Sequence, residues 1–333
     1  MSLLPPPITR DTATERRADA PLPMTRAFNH LIAGAVFERK FRRWPLPAND
    51  ARSLVNDVIF DRMIDPDWPD LHRAFVDKES AKIEAQRLCP TVRVPETRLI
   101  IPIETVASVD HLFQLLEPFI GTDTIAKPTH ASGATVFLRH LTSPAELHLL
   151  YGLASADYAS ILREMQYRDL PRKIIVEAMV PTDGDTSPDD YKFHCVHGEP
   201  LLCQVDHGRF GRTWNRLFRV PCFAPMHDGD GLFAPSGFAP AAPDRLATMI
   251  ATARALATPF DFVRVDLYDG SDGVYFGEMT FTPAASLGIA PSSAGDHEES
   301  ETHRVYSRIM MDALRTAPPP RATAIAREDG LAC

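Results

Sequence analysis

From Phe260 to Pro283 the chain reads FDFVRVDLYDGSDGVYFGEMTFTP, with apolar and polar residues alternating on either side of the cluster Asp269-Gly-Ser-Asp-Gly273. Period-two alternation around a Gly/Asp cluster predicts a β-hairpin whose turn draws its positive-φ positions from those residues. Val263, Val265 and Leu267 then share a core face with Tyr275, Met279 and Phe281, while Arg264, Asp266, Glu278 and Thr280 share the other. Pairing across the turn brings Asp266 and Glu278 opposite or diagonal to each other, roughly 5–8 Å apart. One cation can engage both carboxylates, and without a cation they repel. Two carboxylates, with phosphate and water oxygens completing the shell, suit Mg²⁺; a solvated acidic surface is the alternative.

The same patterning organises the rest of the chain. A helix is expected from Thr25 to Arg43, ending in Arg39, Lys40, Arg42 and Arg43, where cations complement the helix dipole. Asn49 or Asp50 is placed to cap a second helix with apolar positions Leu54, Val55, Val58, Ile59 and Met63, and Asp77 to cap a third running to Leu88. Leu99–Ile103 reads as a strand, Val109–Phe119 as a helix, and Thr124–Lys127 and Thr135–Leu138 as strands flanking the loop Pro128–Ala134. Ser143–Arg168 is largely helical, opening on Ser143-Pro-Ala-Glu146. Lys173–Val180 is a buried strand, and Tyr191–Val196 with Leu201–Asp206 forms a hairpin around His197–Pro200. A helix from Pro243 to Thr258, with Leu246, Met249, Ile250, Ala253 and Leu256 on one stripe, leads into the final hairpin.

With 333 residues there is chain enough for more than one lobe, and 44% hydrophobic with 24% charged residues is ordinary for a globular protein. The 30 prolines gather near the ends, so residues 1–25 and 316–333 are expected to be disordered tails. Between them we expect a helical N-terminal region (26–90) and two lobes, 91–180 and 181–315. A net charge of −9 argues against a general nucleic-acid binder. Five cysteines without metal-type spacing fit a reducing, cytoplasmic setting, and no apolar run is long enough to span a bilayer.

Several residues carry candidate chemistry. Lys127 followed by the small-residue loop with Ser132 and Gly133 has the makings of a phosphate clamp, although it is not a P-loop, and a hairpin loop with an exposed lysine is the plainer reading. Glu177 lies among aliphatic residues and demands a partner. Lys192 stands beside a polar connector. Arg209, Arg212, Arg216 and Arg219 offer planar donors for carboxylate or phosphate, or a salt-bridged surface. His194 and His197 point to opposite faces of a strand, which disfavours a shared metal, and ordinary polar or core histidines are expected. Asp183-Gly-Asp185 and Asp228-Gly-Asp230 are DxD-like, but lie in turn-rich stretches where Asp and Gly are common for backbone reasons.

Together, Ala126-Lys127-Pro128, Ile174-Ile-Val-Glu177, Asp190-Tyr-Lys192-Phe, Arg264-Val-Asp266 and Gly277-Glu278-Met-Thr280-Phe-Thr-Pro283 resemble the ATP-grasp superfamily in order and separation. YKFHCVHGEPLLCQVDHGRF and the final hairpin resemble the TupA-like ATP-grasp family, associated with polysaccharide and teichuronopeptide biosynthesis. The resemblance spans about Phe41 to Ala290. It implies an α+β ATP-grasp fold, with two α+β lobes holding ATP between them after a helical N-terminal region. It also implies an ATP- and Mg²⁺-dependent carboxylate–amine ligase working through an acyl phosphate. Lys127, Ser132, Gly133 and Lys192 would meet the nucleotide phosphates, and Glu177, Ala178, Met179 and Val180 the adenine. Asp266, Glu278 and Thr280 would hold Mg²⁺, with Arg264 and Lys192 at the transferred phosphoryl group. Arg209 and Arg212 would meet an anionic small-molecule or saccharide acceptor. The superfamily often has Asn where this chain has Thr280, and Gly133 is the only glycine of the loop. A polysaccharide glycosyltransferase and a non-catalytic nucleotide-binding protein are the competing functions.

Overall fold

Thr25 starts the first helix as its position implies: its hydroxyl accepts from the Phe28 amide at 3.3 Å, and α1 spans Arg26–Phe41. A computed structural model describes residues 22–183, 187–207, 214–226, 240–288 and 301–316. The second helix, α2 (Val55–Met63), is not capped by Asn49 or Asp50. Buried Asp57 does that work from inside the first turn, accepting the Leu54 amide at 2.9 Å and the Leu46 amide at 2.7 Å while Arg43 forks onto both its oxygens. Asp50 is occupied by Arg52. A short helix not read from the sequence, α3 (Asp70–Val76), precedes α4 (Ser80–Leu88). Asp77 does serve the start of α4, accepting the Glu79 and Ser80 amides at 3.1 and 3.0 Å.

The first sheet takes β1 (Thr97–Pro102), β2 (Thr124–Pro128), β3 (Val136–Phe137) and β4 (Lys173–Ala178), all antiparallel in the order β1-β4-β2-β3. Leu112 and Leu116 of α5 (Val109–Leu116) and Leu150 of α6 (His148–Ser155) close over Ala126, Ile174 and Val176. Ser143 and Glu146 form the expected capping box ahead of α6. The short α7 (Ala159–Leu162) follows.

The second sheet is also antiparallel, in the order β10-β9-β5-β6-β7-β8. Its strands are β5 (Asp190–Val196), β6 (Glu199–His207), β7 (Trp214–Arg219), β8 (Ala224–Pro225), β9 (Phe262–Gly270) and β10 (Gly273–Thr280). One face, with Tyr191, Phe193, Cys203, Val205, Val263, Val265 and Leu267, packs on α8 (Pro243–Ala257) and on Phe75, Val76, Ala81 and Ala85 of α3 and α4. The N-terminal helices are therefore part of this core. Far along the opposite face, Val196, Leu202 and Phe262 are covered by Tyr306 and Met310 of α9 (Glu301–Arg315) and by Val55 and Ile59 of α2. The charged rows of that face remain outside this apolar cover.

The final hairpin forms as the alternation predicts, with two corrections. A bulge at Gly277 sets Phe276 opposite Leu267 and Glu278 opposite Asp266. Tyr275 therefore pairs with Tyr268, off the core face, and Val274 and Phe276 are buried in its place. No residue of the Asp269–Gly273 turn has positive φ. Its glycines answer to crowding instead: a Cβ on Gly273 would lie 2.7 Å from the Arg93 side chain, and one on Gly270 2.9 Å from the Tyr275 ring.

Two stability predictions follow from the packing. A Cβ at Gly277 would lie 2.9 Å from the Asp266 carbonyl and 3.0 Å from the Tyr268 ring, whereas Gly152 in α6 has open space. Gly277→Ala should cost about 1–3 kcal/mol in chemical denaturation, while Gly152→Ala should be neutral or stabilising by up to about 1 kcal/mol. Glu164 is 6% exposed, and burial, against hydrogen bonds from Thr282 and Gln166, raises its carboxyl from 4.5 to about 7. Its contribution to stability is fully present below the unfolded-state value of 4.5 and is lost as pH rises through about 7, a swing on the order of 3 kcal/mol. Glu164→Gln should therefore stabilise the fold far more at pH 8 than at pH 5; an equal effect at both would refute the assignment.

Candidate functional site

Strand register lays the polar face of the second sheet out in rows. Glu278, Asp266, Lys192 and Gln204 stand side by side across β10, β9, β5 and β6, and the next row is Thr280, Arg264, His194 and Leu202. On the other side Tyr268, Asp190 and Asp206 are neighbours. Asp266 and Glu278 are thus direct cross-strand partners, the closest arrangement the sequence allowed. The cation between them is Arg264. Its Nε and Nη2 donate to the two Asp266 oxygens at 2.7 Å each, and Nη2 also reaches Thr280 Oγ1 at 3.0 Å and Glu278 Oε1 at 3.3 Å. Lys192 pairs closely with Asp190 and lies 3.4 Å from both Asp206 and Asp266.

The first sheet contributes a second charged group. Glu177, 2% exposed on β4, meets Lys127 of β2 at 2.5 Å and Lys82 of α4 at 2.6 Å, one lysine per oxygen. The partner that a carboxylate among aliphatics demands is therefore a pair of lysines. Lys78 adds another cation: its backbone amide donates to Thr129 O at 3.1 Å and its Nζ to Ala131 O at 2.7 Å, tying down the loop after Lys127. Ser132 and Gly133 are exposed at the loop's tip, where Gly133 has φ +90°. At the end of β4 the Ala178 and Met179 amides are donated to Glu96 O and Asp123 O, both at 2.9 Å.

The electrostatics separate the paired acids. Burial raises Asp266 to about 6, with Arg264 and Lys192 opposing and Asp190 and Glu278 reinforcing. Glu278, whose side chain is 38% exposed, would also rise on burial, but Lys78, Arg264, Lys192 and Lys127 hold it down at about 2. Burial alone would lower Lys127 and Lys192; Glu177 keeps the first up and Asp190 with Asp266 the second. Burial lowers Lys78 and Lys82, against the pull of Glu278 on the first and Glu177 on the second.

The structure thus gathers Lys192, Arg264, Asp266, Glu278 and Thr280 on one sheet face, and Lys127 and Glu177 on the other sheet. The α4 region links the two: Lys82 pairs with Glu177 of the first sheet, while Ala81 and Ala85 pack under the second. Sequence reasoning missed Lys78 and Lys82, because the helix they begin showed only a core-facing pattern; Asp77-Lys78 just before a helix start was the available signal. Arg209, Arg212, Asp185, Asp228 and Asp230 lie outside the described residues. His194 is fully buried with Nδ1 2.9 Å from the Tyr306 hydroxyl, and burial next to Arg264 and Lys192 keeps it neutral. Among the described residues no three His, Cys, Asp or Glu side chains cluster as metal ligands. No helix among them is long and apolar enough to cross a membrane.

Solved structures similar to the chain are ATP-grasp ligases. The ligase PsnB complexed with a phosphomimetic precursor variant, Mg and ADP is 10% identical, with 73% of this chain and 60% of that chain covered and a TM-score of 0.37. The VanG D-Ala:D-Ser ligase from Enterococcus faecalis is 12% identical, with 72% and 61% covered and a TM-score of 0.39. The macrocyclase MdnC bound with precursor peptide MdnA from Microcystis aeruginosa MRC is 11% identical, with 75% and 64% covered and a TM-score of 0.38. The chain spans 52–60% of the length of the PsnB chains it matches. No curated protein matches it significantly. Residues 103–294, more than half of the chain, match the profile of the TupA-like ATPgrasp family, and the chain belongs to that family.

Proposed function

We propose that the protein is an ATP- and Mg²⁺-dependent ligase that joins a carboxylate to an amine through an acyl phosphate, in the assembly of a polysaccharide or other cell-surface polymer. One observation carries the reading. Asp266 and Glu278 face each other across β9 and β10, with Arg264 reaching both and Lys192 Nζ 3.4 Å from Asp266. Largely buried cations at paired acids suit a polyphosphate and its metal better than they suit a solvated surface. Phosphoryl transfer needs mainly positioning and neutralisation of charge, which these residues supply without a nucleophilic side chain.

In this reading Lys78 and Lys127 reach the nucleotide phosphates from the loop side and Lys192 from the sheet side. Ser132 and Gly133 lie over the phosphates, and the segment Glu177–Val180 borders the base. Asp266, Glu278 and the Thr280 hydroxyl form an oxygen-only donor set, as a hard cation requires, with phosphate oxygens completing the shell. Mg²⁺ held there would neutralise charge on the phosphates. Arg264, which now shields Asp266 from Glu278, would turn its fork to the transferred phosphoryl group, trading one anion for another. Arg209 and Arg212 are proposed for an anionic acceptor, and the acceptor itself is a small molecule or saccharide. The link to polymer assembly rests on the association of the TupA-like family with polysaccharide and teichuronopeptide biosynthesis.

ADP release measured with Mg-ATP across amino acids, uronic acids and oligosaccharides should single out a carboxylate–amine pair, and Glu278→Gln should reduce it by roughly 10²-fold or more. Equal activity in that variant would remove Glu278 from the metal site. Separately, Lys78→Met and Lys127→Met should each weaken Mg-ADP binding roughly tenfold or more by calorimetry, and unchanged affinity would place the phosphates elsewhere.

A further inference from the structure

Glu164, Gln166 and Thr282 form a buried polar cluster that the transfer described above does not use. Thr282 Oγ1 donates to Glu164 Oε1 at 2.7 Å and accepts from Gln166 Nε2 at 2.5 Å, and Gln166 Nε2 lies 3.4 Å from the same Glu164 oxygen. Glu164 is 6% and Gln166 2% exposed. Among the described residues no lysine or arginine pairs with Glu164, and its second oxygen accepts no hydrogen bond. Gln166 Oε1 is buried without a partner, and so is Ser286 Oγ a few residues beyond Thr282. Leaving buried polar groups unpaired costs stability. Gln166 Oε1 is a pure acceptor and the Ser286 hydroxyl can accept, and the cluster holds no positive charge of its own.

Its surroundings point the same way. The Tyr158 and Tyr167 rings meet edge to face with centroids 4.8 Å apart, and aromatic rings attract cations. Burial first, then the charge of Glu164, raises the pKa of both phenols. Tyr167 directly follows Gln166 and its backbone amide donates to Glu164 O at 3.1 Å, so the ring pair adjoins the cluster. Thr282 itself follows Thr280 by two residues, at the start of a segment in which Ala284, Ala285 and Ser286 hold φ of 51°, 49° and 68°.

We propose that this cluster is the subsite for a protonated primary amine, the amine-bearing substrate of the ligase reading on which the proposal rests. The Glu164 carboxylate opposes the ammonium charge, Gln166 Oε1 takes one of its remaining N–H groups, and the tyrosine rings wall it. A glutamine at position 164 would keep the bonds to Thr282 and Gln166 without burying a charge, so the ionised carboxylate has a cost that a cationic ligand offsets.

The test is calorimetric titration of the full chain, saturated with Mg-ADP, with ethylammonium chloride. Saturable binding is expected in the wild type, weakened roughly tenfold or more in Glu164→Gln and weakened also in Gln166→Leu. Both variants should retain Mg-ADP binding, which shows that they are folded. Tetramethylammonium, which has charge but no N–H, should bind much more weakly. Failure of ethylammonium to bind, equal affinity in Glu164→Gln, or equal binding of tetramethylammonium would each overturn the subsite while Mg-ADP still binds. Absence of Mg-ADP binding in the wild type would instead bring down the ligase reading, and the subsite with it.

Discussion

Two carboxylates facing each other across a pair of antiparallel strands cannot both stay ionised unless a cation stands between them, and the polar face of the second sheet is arranged around that requirement. Asp266 and Glu278 are register partners, and Arg264, one residue-pair further along β9, reaches back with both arms of its fork. Around them two like-charged pairs, Glu278 with Asp266 and Asp190 with Asp206, are separated by Lys192, which lies within 3.4 Å of Asp206 and Asp266 and closer still to Asp190. This pattern lets a sheet bury strong charges. Each is stabilised by opposite neighbours at close range in a medium where such pairs are strong, and the desolvation cost is shared over the network.

The same economy governs the first sheet and links it to the N-terminal helices. Glu177 is buried by the aliphatic packing of β4 and is tolerated because Lys127 and Lys82 take one oxygen each. Lys82 belongs to a helix that also supplies Ala81 and Ala85 to the core under the second sheet. Packing that core therefore holds Lys82 against Glu177 and Lys78 against the loop after Lys127. At the far end of the polar face, α2 and α9 cover apolar residues that would otherwise be exposed, so the charged rows border an apolar cap.

Much of this was legible along the chain. Period-two alternation named the final hairpin and its acidic face, helical periodicity named the stripe of α8, and a glutamate in an aliphatic strand announced an unseen partner. The errors have local causes. Tyr275 was assigned to the core because strict alternation was carried through Gly277, where one extra residue reverses the phase of everything before it. Asn49 and Asp50 are good capping residues, but Asp57 lies nearer and is held by Arg43, so α2 begins later.

Sequence alone therefore determined the kinds of element and the chemical character of each face, because side-chain direction repeats with the backbone period over a few residues. It also placed Asp266 and Glu278 near each other, since one tight turn joins their strands. Only the tertiary structure decided which cations meet which acids. Lys78, Lys82, Lys127 and Lys192 come from segments separated by up to a third of the chain, and no local period records that they converge. Nor does the chain record that Arg264 serves its own strand neighbour. That choice follows from the burial of Asp266, which leaves its carboxylate dependent on the nearest guanidinium.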